Sequence, residues 1–141
     1  MKFEKVYYPR VWADLLDAAD HILELEPRNQ WRGSRDSESM LRALGPYKLT
    51  CFCERYRVMN PSPWNDLPGD MPARIYLLNK HGWPPSQVLS LTVDELLLAL
   101  HEELVSLRLN PVEAEPVRTW GASCGKFSLV EPHLEPLPDS D

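Results

Sequence analysis

Gly121-Ala122-Ser123-Cys124-Gly125 reproduces the G-x-S-x-G pattern that sets a nucleophilic serine on a sharp strand-to-helix turn. That elbow needs a buried strand before it, a helix after it, and then an acid and a histidine in separate positions. Only 16 residues follow Gly125, and their single histidine, His133, stands two residues from Glu131, too close for the pair to take those roles. Read as a phosphate-binding loop, the stretch has three residues between its glycines instead of four, and Phe127 where the magnesium-binding hydroxyl belongs. Cys51, Cys53, Cys124 and His133 are zinc-ligand types, yet a one-residue spacer puts two sulfurs on one strand face or about 200° apart on a helix, unlike the two-to-four-residue spacers of structural sites. His101-Glu102-Glu103 lacks the second histidine of H-E-x-x-H, because position 105 is valine. The expectation is a non-enzymatic chain with no cofactor and no metal, a low-pKa thiolate at Cys51, Cys53 or Cys124 being the one minor route to catalysis.

Recognition chemistry is better represented. Between Arg28 and Arg57 stand seven basic residues against three acidic ones, interleaved with Trp31, Tyr47, Phe52 and Tyr56. Guanidinium groups among aromatic rings suit an acidic protein groove or single-stranded nucleic acid. Arg28, Trp31, Arg32, Arg35, Arg55 and Arg57 are therefore candidate partner-binding residues, with a solvated arginine face over core aromatics as the plainer reading. A second candidate set, Trp83, Asp94, Glu95, Glu102 and Glu103, lies in the acidic half of the chain. The helix carrying those acids would repel phosphates, so a DNA-reading helix-turn-helix over 73–107 is disfavoured.

The elements that must hold these residues are mostly helical. From Pro9 to Glu26 the apolar positions Val11, Trp12, Leu15, Leu16, Ala19, Ile22 and Leu23 follow the 3.6-residue period of an amphipathic helix. Asp36 to Ser39 followed by Met40, Leu41, Leu44 and Gly45 predicts a second, short helix with a glycine stop. Tyr47 to Met59 fits a helical stripe by spacing and a strand by composition; helix is the preferred reading. Asn60 to Pro72 is an irregular, proline-rich loop. Ala73 to Lys80 forms a helix closed by Gly82, and Ser86 to Ser90 one more turn. Thr92 with Glu95 is a capping box opening a helix from Val93 to about Arg108.

The 141 residues carry a net charge of −6, with 43% hydrophobic and 26% charged residues, the usage of one ordinary globular domain. The first 30 residues lack the apolar stretch of a secretory signal, and Leu96 to Leu100 is the longest apolar run, so a membrane partner is not expected. Three cysteines, an odd number, fit free thiols and a cytoplasmic location. The charge is uneven: residues 1–60 hold ten basic and nine acidic side chains, residues 61–141 five and twelve. The expected fold is a mainly α, compact single-domain bundle. Its helical domain, 1–110, has halves 1–59 and 73–110 joined by the loop 60–72, packed around Trp12, Leu15, Leu16, Ile22, Leu97, Leu100 and Leu104. Residues 111–141 read as an acidic, proline-rich arm in which Phe127 to Val130 could add a short strand.

The run LLNKHGWPPSQVLSLTVDEL, Leu77 to Leu96, resembles the G-W-P-P…L-T-x-x-E-L arrangement of small tail-assembly and tail-chaperone proteins of tailed bacteriophages, over about 35 of the 141 residues. The resemblance implies a short helix, a proline turn and a capped helix that bind another tail component without catalysis. More than 70 residues in front and the acidic segment behind depart from that pattern. The expected function is a small protein-binding protein of a phage or mobile element, assembly- or chaperone-like, that occupies a partner's surface. The alternative is an acidic inhibitor, of an anti-defence or toxin-immunity kind, that blocks a basic groove; nucleic acid is not the expected partner.

Overall fold

The computed structural model describes residues 6–27 and 34–136. Among them the secondary structure is helical: α1 (Tyr8–Leu23), α2 (Arg35–Met59), α3 (Met71–His81), α4 (Pro85–Leu89), α5 (Val93–Ala99), α6 (His101–Ser106), α7 (Pro111–Cys124) and α8 (Phe127–Val130), then a 3-10 turn at Glu131–His133. The one β contact is an isolated parallel bridge between Leu109 and Leu134. The mainly α class read from the sequence is therefore observed. The chain divides into two units, one containing residues 48–107 and the other residues 7–47 with 108–136, so α2 contributes to both.

The interior of the first unit is built from residues spaced four apart: Leu49 and Cys53 on α2, Ala73 and Leu77 on α3, and Leu96, Leu100 and Leu104 across α5 and α6. Such spacing stacks side chains on one helix face, and burying each leucine contributes roughly 1.5–3 kcal/mol. Phe52 and Tyr76 meet edge to face with centroids 5.1 Å apart at the margin of this cluster. Arg74 ties α3 to the end of α4 by donating to the carbonyls of Val88 at 2.8 Å and Leu89 at 3.2 Å. The Thr92–Glu95 capping box forms as the sequence requires. The helix it opens is interrupted at Leu100, which leaves helical dihedrals (φ −101°, ψ 13°), and ends at Ser106.

In the second unit Tyr47 is fully buried, edge-on to Tyr8 and Trp12, while Trp12 is edge-on to Trp120 of α7. The Tyr47 hydroxyl donates to the Glu113 carbonyl. Trp12 and the α5–α6 leucines belong to different units, each with its own apolar interior, and Ile22, expected in the core, is 49% exposed.

Three sequence expectations are corrected. Gly45 does not stop the second helix; α2 runs on through Pro46 to Met59, with Met40, Ala43, Leu44, Tyr47 and Leu49 buried on either side of it. That burial outweighs the roughly 3 kcal/mol cost of an internal proline. Residues 111–124 are not an arm but α7, opened by a second capping box, Asn110 with Glu113, and by Pro111, whose missing N–H costs nothing in a first turn. Phe127 to Val130 makes a helical turn rather than a strand.

The glycines of the G-x-S-x-G stretch have structural roles. Gly125 closes α7 in the left-handed region (φ 70°), and a Cβ on Gly121 would come within 3.1 Å of the Phe127 Cα and 3.2 Å of Val130 Cγ2. Overpacking of this kind costs about 1–3 kcal/mol, set against roughly 1 kcal/mol of helix propensity gained by alanine. Gly121→Ala is expected to lower the urea unfolding midpoint, and an unchanged or raised midpoint would show that α8 does not pack closely on α7.

Candidate interaction surface

The loop that follows α2 contains Pro61, Pro63 and Pro68, three residues with no amide donor, so its carbonyls need partners from elsewhere. Arg57 supplies them. Its Nε donates to the Leu67 carbonyl at 2.7 Å, its Nη2 to the Gly69 carbonyl, and its Nη1 to Glu54 at 3.1 Å. Asn65 Oδ1 accepts the Leu67 amide at 2.8 Å. Leu67 takes a positive φ of 53°, a conformation costly for a branched side chain, and buries that side chain in return. Arg57 and Asn65 thus anchor the Leu67–Gly69 end of the loop.

What this frame presents is apolar. Trp64 is 87% exposed, and Met59 and Val58 at the end of α2 are 78% and 72% exposed. Phe52, Tyr56, Met59 and Tyr76, with Arg55 and Glu103, line an open groove of about 540 Å³. An adjoining depression of about 360 Å³ shares Tyr56 and Asn60 and is bounded by Trp64, Met71 and Ile75. Single exposed apolar residues are ordinary, but a methionine lining one aromatic groove and a tryptophan lining the depression that shares Tyr56 with it form the kind of patch that marks a docking site. The groove's polar edge is fixed by Lys80, which pairs with Glu103 and stands 6.0 Å from the Tyr76 ring centroid.

Of the candidate basic-aromatic set, Arg35, Arg55 and Arg57 are among the described residues. Arg28, Trp31 and Arg32 lie outside the described residues. Arg35 pairs with Asp20 at 3.0 Å and Glu24 at 3.2 Å, and Ser39 donates to the same Asp20 carboxylate at 2.8 Å. Arg57 is the loop's internal clamp, only 10% exposed. Arg55 lines the groove. Of the acidic set, Glu95 is engaged in its capping box and Glu103 with Lys80, while Asp94 and Glu102 are exposed. Trp83 is half-buried, stacked on His81 at 4.4 Å and packed on the first unit's core. Trp64, Met59 and Tyr76 were missed because only the P-S-P-W sequence, a tryptophan among residues that cannot pack as helix or strand, pointed to them.

Nucleophilic chemistry has little support in the thiols. Burial pushes the Cys53 thiol up to about 11, and Cys51 is fully buried. Cys124 is half-buried with its sulfur 3.1 Å from the Trp120 carbonyl, and Ser123 donates to the same carbonyl, within a helix and with no strand before it. Among the described residues no three His, Cys, Asp or Glu side chains gather as a metal site, and no helix is long and apolar enough to cross a membrane. No protein-family model matches the chain, and no curated protein or solved structure matches it significantly.

Two measurements check these assignments. Iodoacetamide at neutral pH should label Cys124 before Cys51 and Cys53; rapid labelling of Cys53 would contradict its burial. The Ser39 hydrogen bond, then Arg35, hold Asp20 below the ordinary carboxylate pKa. The stability this contributes is complete above the unfolded value of about 4 and lost as pH falls through the lower folded value. Asp20→Asn should therefore destabilise at pH 7 and make the acid limb shallower; identical limbs would show that the pairing is not maintained in solution.

Proposed function

We propose that the chain is a non-enzymatic protein-binding protein of a phage or mobile element, acting in the cytoplasm by occupying a partner's surface through the Met59–Trp64 patch. The observation that carries this reading is an 87% exposed tryptophan on a loop whose Leu67 and Gly69 carbonyls are held by a mostly buried arginine. An indole has only two side-chain torsions to fix on docking, and tryptophan is among the residues most enriched in binding hot spots. The grooves on either side of Tyr56 give the partner's apolar side chains a place to enter. The resemblance of Leu77–Leu96 to phage tail-assembly proteins supports an assembly or chaperone role for that binding, and the raised Cys53 thiol argues against covalent catalysis.

The test is capture of partners from the native host by the full chain and by Trp64→Ala, with mass spectrometry and affinities for each captured protein. Loss of the exposed ring should weaken the genuine partner by at least about 2 kcal/mol, roughly thirtyfold, without changing the melting temperature. Capture of the same proteins with unchanged affinity would refute the reading. For the assembly role, deleting the gene from its parent element should abolish particle or tail formation; normal particles would exclude it.

A further inference from the structure

The outer face of α5 and α6 carries a pattern that the Trp64 patch does not explain. Residues 81–107 contain no lysine or arginine, yet include Asp94, Glu95, Glu102 and Glu103. Leu100 leaves helical dihedrals and separates α5 from α6, yet Leu96, Leu100 and Leu104 are buried in one cluster on both sides of it. Asp94, Leu98 and Glu102, each two positions from a buried leucine, are all exposed and so lie on the side away from that cluster. Leu98 is 75% exposed and Val93, in the first turn, 48%. Inward, Leu96, Leu100 and Leu104 are buried, so this face is the helix pair's solvent side.

Charge and apolarity together restrict what can cover it. Phosphate backbones and anionic lipid surfaces are repelled by the carboxylates. A purely apolar partner would bury Leu98 only by stripping water from Asp94 and Glu102 without replacing it. A helix with lysine or arginine flanking apolar residues satisfies both requirements.

We propose that the α5–α6 face is a second docking surface, and that its occupant is a basic amphipathic helix of a partner protein. It shares with the proposed function only the premise that the chain binds protein, and it uses different residues.

The experiment titrates the full chain with a synthetic amphipathic helix of lysine and leucine and with its glutamate–leucine counterpart, following backbone amide shifts and affinity. The lysine–leucine helix should bind, shift amides within Val93–Ser106, and lose affinity between ~50 and ~300 mM salt. Asp94→Asn/Glu102→Gln should weaken it by at least about tenfold, and Leu98→Asn by at least about fivefold. Asp17→Asn/Glu115→Gln, which makes the same change in net charge elsewhere, should bind as the unaltered chain does. Absence of binding, equal binding of the glutamate–leucine helix, an equal loss in the two charge-matched doubles, or shifts confined to the Met59–Trp64 region would overturn the proposal. The last of these would leave the Trp64 reading intact, and loss of partner capture in Trp64→Ala would leave this proposal untouched.

Discussion

One guanidinium sets the shape of the candidate interaction surface. A loop with three prolines in eight residues, Pro61 to Pro68, cannot pair its own backbone, and without an outside donor its carbonyls would turn to water and the segment would sample many shapes. Arg57, at the end of a long helix and itself nearly buried, gathers two of those carbonyls. Hydrogen bonds from a charged donor are worth about 1.5–3 kcal/mol each, enough to offset the strained backbone at Leu67. Trp64 therefore projects from a loop anchored at Leu67 and Gly69, and ordering a docking loop before binding lowers the entropy cost of association.

Arg35, Arg42 and Arg57 of the basic stretch are likewise engaged within the fold, and Arg55 lines the groove. Arg35 is held by Asp20 and Glu24, Arg42 by Glu26 and Glu38, and Arg57 by the loop. Lys48, almost fully buried, donates to the Leu104 carbonyl in the last turn of α6, where a cation meets the negative end of the helix. These cations join elements of the fold. On α5 and α6 Glu95 closes the capping box and Glu103 pairs with Lys80, while Asp94 and Glu102 are exposed on the helices that also expose Leu98.

Much of this was legible in the sequence where local chemistry decides structure. The Thr92–Glu95 box, the glycine stop at Gly82 and the stripe of α1 all act within a few residues, and all appear. The Asn110–Glu113 box carries the same signature, but surrounding prolines and acids favour the reading of an extended arm; Pro111 falls in the first turn of α7, and the helix continues through Pro116 with Ala114, Val117 and Gly121 buried. Gly45-Pro46 misled for a different reason. Its local preference is to end a helix, and burial of Tyr47 and its neighbours, contacts distant in sequence, overrules it. The interaction surface was the least legible part, since exposure of Met59 and Trp64 depends on where Arg57 sends its donors, and spacing along the chain does not reveal that.

The proposed docking face is the Met59–Trp64 patch. Hydroxyl-radical footprinting of the chain, free and in complex with its captured partner, tests it most directly, because exposed methionine and tryptophan are readily oxidised. Met59 and Trp64 should be oxidised rapidly in the free chain and be strongly protected in the complex, while exposed Leu25 and Val112 keep their free rates. Unchanged oxidation of Met59 and Trp64 in a saturated complex would contradict it.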